Sequence, residues 1–138
     1  MKNNYLKYSL PVIFSMLFMI SKYGYTTPSG EDLIKDISTA IGKMDSKKLA
    51  DYFSSTIDLE MNEINGSYSK TQAEIILRDF FKNNPAILFT INHQGDSDDG
   101  SKFFIGTYKT STKNYRVYGL LKKESDQLVL RQLQFDEE

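Results

Sequence analysis

What most constrains this chain is the order of its periodicities. Apolar residues recur at helical spacing early and again from about Ser69 to Asn84, and from there to the end they follow strand spacing. A chain that lays down helices first and closes on a run of strands packs those helices against one sheet, the α+β arrangement. Its 138 residues leave room for one core.

Ser29, three residues before Asp32, opens the first helix as an acidic version of the capping box, and Leu33, Ile34, Ile37, Ala40, Ile41 and Met44 form its apolar stripe. Asp45 caps a short second helix, Ser46 to Phe53. Ile57, Leu59 and Met61 then alternate with polar residues as a strand with one wet face. Asn65-Gly66 tolerates the positive φ of a tight turn, which predicts a hairpin turn there and a short returning strand over Ile64 to Tyr68. Ser69 and Gln72 make a full capping box for the long helix, whose stripe is Ala73, Ile76, Leu77, Phe80 and Phe81 and which stops at Asn84-Pro85.

Four strands follow, Ile87 to Gln94, Lys102 to Thr110, Asn114 to Lys123 and Gln127 to Phe135, joined by loops short enough to require antiparallel neighbours. In the last of them Leu128 and Leu130 have one parity and Leu133 and Phe135 the other. A one-residue β-bulge near Arg131 or Gln132 would bring all four to one face.

Residues 1–26 read as a signal peptide: Lys2 and Lys7 precede the apolar run Leu10 to Ile20, too short for a bilayer, before a polar break and Pro28. The expected domain is 27–138, in the periplasm or secreted, with no stable membrane span after cleavage. Removing Lys2, Lys7 and Lys22 takes 17 cationic against 18 anionic residues to 14 against 18, a net charge of −4. Scattered cations on an acidic domain argue against nucleic acid as a partner. No cysteine is present, which removes thiolate nucleophiles, thiolate zinc sites and a lipidated cysteine anchor.

The stretch GSYSKTQAEIILRDFFKNNP, the HQG at His93, DGSKFFIGTY from Asp99, YRVYGLLKK from Tyr115 and the terminal LRQLQF resemble an uncharacterised family of small exported bacterial proteins, domain of unknown function 4783. The succession of elements resembles the nuclear-transport-factor-2-like superfamily. The resemblance implies a cone-like fold in which N-terminal helices and one long helix pack on a curved, mainly antiparallel sheet. That superfamily mixes isomerases, dehydratases, transport factors and inert binding modules without a shared linear motif, so it assigns no catalytic residue to this chain.

His93, the only histidine, shares parity with Phe89 and Ile91 and so is expected on the face toward the cone, where an acid or base would be useful. A structural histidine at a strand end is the simpler alternative. Asp96-Ser97-Asp98-Asp99-Gly100 is acidic enough to suggest calcium, but Gly100 stands at the fifth position of an EF-hand loop and Thr107 at the twelfth, so a solvated hairpin turn fits better and no metal site is assigned. Among nine Tyr and nine Phe, Tyr108 and Tyr118 join His93 as pocket candidates, because aromatics with a polar tip suit an apolar site. Packing within the core or a surface ladder would use the same residues.

No cofactor motif is present. The sequence is therefore expected to encode a non-catalytic binding or interaction module for a small molecule or an envelope protein, with a pocket inside the cone. The alternatives are a small isomerase or dehydratase, which needs a carboxylate beside Tyr108 or Tyr118, and a structural homodimer packing the outer faces of two sheets.

Overall fold

The structure, a computed structural model, describes Gly24 and residues 28–138. The expected signal peptide therefore lies outside the described residues apart from Gly24. Helices α1 (Gly30–Gly42) and α2 (Ser46–Ala50) lead into strands β1 (Phe53–Met61) and β2 (Ile64–Ser69). Helix α3 (Lys70–Asn83) and strands β3 (Ala86–Asp96), β4 (Lys102–Thr110), β5 (Asn114–Glu124) and β6 (Gln127–Glu137) complete the domain. The strands form one sheet in the order β2-β1-β6-β5-β4-β3. Only the β1–β6 pairing is parallel, and it closes the C-terminal meander onto the N-terminal hairpin. The helices pack against one face, as the α+β reading requires.

Local chemistry sets most boundaries. Ser29 accepts from the Asp32 amide at the start of α1, and Ser69 and Gln72 complete the reciprocal capping box of α3. The second helix is shorter than its apolar pattern suggested: it ends at Ala50, and Phe53 already belongs to β1. The β1–β2 turn also lies elsewhere than expected. Met61 pairs with Ile64, so the chain turns at Asn62-Glu63 with Asn62 at φ 51°, while Asn65 and Gly66 sit inside β2 opposite Glu60 and Leu59. Asn62 tolerates the left-handed conformation as Asn65 would, and turning there keeps Met61 buried against the helices.

The expected bulge is present. Leu120 pairs with Gln132 and Leu121 with Leu130, leaving Arg131 as the extra residue. Leu130, Leu133 and Phe135 are all buried on the helix side, and Leu128 is half-buried against the same core. Each such side chain contributes about 1.5–3 kcal/mol by leaving water, so a register without the bulge would expose two of them at several kcal/mol.

Candidate functional site

The space between α3 and the sheet, where a cone would hold a ligand, is filled by aromatic rings. Phe80 lies 4.7 Å from Phe135, 5.3 Å from Tyr115 and 6.0 Å from Tyr108, centroid to centroid, and Phe81 stacks on Tyr108 at 5.9 Å. Phe104, also buried, packs over Gly119, where a Cβ would come within 2.2 Å of its ring. Tyr108 is fully buried, its hydroxyl donating to the Asn84 carbonyl at 2.6 Å. Tyr115, equally buried, donates to Asn84 Oδ1 at 2.9 Å. Burial raises the Tyr108 phenol well above its ordinary range, with Tyr115 adding to the effect.

The three sequence candidates do not converge. Tyr108 is inside. Tyr118 alternates with buried Val117 and Gly119, so it is half-buried on the open face of the sheet, opposite Ile105 and Gln134. His93 is also on that face. Ile91 pairs with Gly106 and His93 with Ile105, so Asn92 is an extra residue, and this bulge reverses the parity that linked His93 to Phe89 and Ile91. Asn92 is held there by donating to Thr107 Oγ1 at 2.8 Å. The His93 ring meets Phe103 at 5.6 Å, and it is exposed.

His93, Ile105, Tyr118 and Gln134 thus form one cross-strand row, with Phe103 and Leu120 in the next, giving a half-buried aromatic and aliphatic band on the sheet's open side. On the open face the carboxylate nearest this row is Asp136 of β6, which accepts from Gln134 Nε2 at 2.9 Å, while Asp58 and Glu60 lie on β1 beyond it and Asp58 accepts from Ser67. They do not approach the buried phenols. In the acidic loop, Asp99 accepts from the Ser101 amide at 2.9 Å, and the Ser101 hydroxyl, followed by this amide, holds its carboxyl below the usual range. Gly100 at φ 82° completes the turn, so this segment closes a hairpin.

The family model described as Domain of unknown function (DUF4783) matches residues 34–136. The chain belongs to that family. A crystal structure of a DUF4783 protein from Bacteroides ovatus is 30% identical, over 83% of this chain and 98% of that one, with a TM-score of 0.71. One from Bacteroides uniformis is 29% identical over 75% and 95%, also with a TM-score of 0.71. An NTF2-like protein of unknown function from Cytophaga hutchinsonii, 11% identical over 83% and 95% with a TM-score of 0.58, shares the fold alone. No curated protein matches the chain.

In this DUF4783 chain the residue that organises the interior is one the sequence did not single out. Asn84 caps α3, donates to the Phe80 carbonyl at 3.0 Å and receives both buried phenols. Its visible signal was only an Asn before Pro85 at a helix end, which a stop signal explains without any core role.

Proposed function

We propose that the protein is an exported, non-catalytic interaction module whose binding surface is the open face of the sheet, and that its partner is an envelope protein. The observation that carries this reading is the filled interior: the buried rings of Phe80, Phe81, Tyr108, Tyr115 and Phe135 pack on one another inside the cone, and both phenols there are committed to Asn84. An isomerase or dehydratase would need a free carboxylate beside one of those phenols, whereas the one opposite Tyr115, Glu137 at the end of β6, is half exposed and paired with Lys113 at 2.9 Å, and the inner-face neighbours Phe104, Val117, Leu133 and Phe135 are apolar. The small-ligand pocket expected in the cone gives way, in this reading, to the band of Phe103, Ile105, Tyr118 and Leu120, a half-exposed apolar surface with polar neighbours at Gln132 and Gln134. Export rests on the basic, apolar and polar succession of residues 1–26.

Two measurements test this. Residues 1–30 fused to a periplasm-dependent reporter should give activity, and a full-length cytoplasmic product in the native host would refute export. Native mass spectrometry of the protein from its host envelope should find a protein complex that Tyr118→Lys dissociates at unchanged melting temperature. A stoichiometric small molecule that survives Tyr118→Lys and is lost in Tyr108→Phe would refute the interaction reading.

A further inference from the structure

The two rows that carry the apolar band do not stop at β5. They continue across β6 to β1, where Glu60 stands opposite Gln134 and Asp58 opposite Gln132. Both carboxylates alternate with buried Leu59 and Met61, so they point to the open face, and both are half-buried. Among the described residues neither is in an ion pair. With Asn65, Ser67 and Gln132 they line a hollow of about 340 Å³ over β1. On β5 the band is bracketed by exposed cations, Arg116 two residues before Tyr118 and Lys122 two after Leu120, and neither is in an ion pair among the described residues. Asp136, across from Arg116, is engaged by Gln134. The open face is thus divided, with carboxylates on β1 and cations at both ends of β5.

Whatever covers the band covers these charges too. Neighbouring strands lie about 4.8 Å apart and residues about 3.4 Å apart along a strand, so Asp58 and Glu60 are about 10 Å from the band's β5 residues, and Arg116 and Lys122 about 7 Å. A stable protein contact spans about 800 Å² on each partner, a disc of about 16 Å radius, which reaches all four. A charge covered without a counter-charge loses its hydration with no compensation, so an uncharged or uniformly charged partner is penalised at one pole or the other. A second copy of the chain does not meet this condition. Stacked band on band about an axis along the strands, between β4 and β5, it places β1 beyond the other copy's last strand, β3; about an axis across the strands, it lays Asp58 and Glu60 on their own counterparts.

We propose, on the reading of the open face as the binding surface, that the partner protein presents a polarised segment: an arginine side chain seated in the hollow at Asp58 and Glu60, apolar side chains over Phe103, Ile105, Tyr118 and Leu120, and a carboxylate against Arg116. Arginine fits the hollow because its planar fork carries five donors and pairs bidentately with a carboxylate, while the Asn65 and Gln132 amide oxygens supply neutral acceptors around it. The hollow lies across the strands from Tyr118 and Arg116 lies along them, so the three contacts form a right angle and one orientation of the partner satisfies them all. Charge complementarity of this kind sets specificity and the rate of encounter, and the apolar band sets the lifetime of the complex.

The chain that native mass spectrometry finds in the complex from the host envelope, immobilised on a sensor surface, is the probe. Asp58→Asn with Glu60→Gln keeps the shape of the hollow and removes its charge. It should slow association, raise the dissociation constant about tenfold at unchanged melting temperature and flatten the salt dependence of association. Asp58→Lys with Glu60→Lys should abolish binding, and replacing the partner's arginine by Glu should restore it. Lys35→Glu, on α1 at the other face of the sheet, should change nothing. A complex that Tyr118→Lys dissociates, but whose association rate and salt dependence are unmoved by Asp58→Asn with Glu60→Gln, would overturn the polarity and leave the open-face reading standing. A complex indifferent to Tyr118→Lys, a homodimer, or no complex at all would overturn both.

Discussion

Replacing Asn84 by Ala strands a buried phenol, and the cost can be worked from the contacts it breaks. Tyr115 is fully buried and its hydroxyl has Asn84 Oδ1 as its partner, so the truncation leaves that hydroxyl without one, at about 1–3 kcal/mol. The amide that donates to the Phe80 carbonyl at 3.0 Å is lost as well, for roughly another 0.5–1.5 kcal/mol. The backbone carbonyl that receives Tyr108 is kept, so that phenol is unaffected. Tyr115→Phe removes the hydroxyl itself and leaves Asn84 Oδ1, on a half-buried residue, able to turn toward water, for about 0.5–1.5 kcal/mol.

In the double variant no phenol is orphaned. It should therefore be no less stable than Asn84→Ala alone, with a coupling of about 1–2 kcal/mol between the two sites. Thermal and urea unfolding of the four proteins measure this. At roughly 3–6 °C per kcal/mol for a domain of this size, Asn84→Ala alone should melt about 5–27 °C lower than wild type. Simple additivity of the two single variants would refute the view that Asn84 serves the interior by satisfying Tyr115.

Gly119→Ala places a methyl about where the Phe104 ring lies, and should cost roughly 1–3 kcal/mol by overpacking; an unchanged melting temperature would mean the ring has room to move. Alkaline pH should act through Tyr108, whose folded phenol titrates far above its unfolded value of 10.0. The sign follows from proton binding: above pH 10 the unfolded chain releases this proton while the folded chain retains it, so stability holds below that pH and falls above it. Ultraviolet difference titration should show Tyr108 ionising only with unfolding, and Tyr108→Phe should flatten that part of the stability profile. A phenol that titrates normally in the folded protein would contradict its burial.

The local elements were legible because their causes are local. Ser29, Ser69 and Gln72 cap helices through bonds that span three residues, and short loops force antiparallel neighbours whatever surrounds them. The Arg131 bulge was legible too, since four apolar residues of mixed parity can share one face only if a residue is skipped. The second bulge was not: Phe89, Ile91 and His93 keep perfect alternation, and only the pairing of Asn92 with Thr107, 15 residues away, reveals that the strand slips and turns His93 outward. Tyr118 likewise took its face from the neighbouring strands, because Leu120 and Leu121 make its own strand ambiguous.

The parallel contact of β1 with β6, which closes the sheet and leaves β3 at its edge, joins segments from opposite ends of the domain. Nothing in either segment's periodicity specifies that partner, since side-chain alternation fixes a face and says nothing of a neighbour. Sequence alone thus determined the order of the elements, most of the core-facing positions and the family, while Met44, read as part of the first stripe, lies past the end of α1 and is exposed. Whether the aromatics would line a pocket or fill it was settled by tertiary packing, because it depends on how near α3 brings Phe80 and Asn84 to rings carried on three other strands.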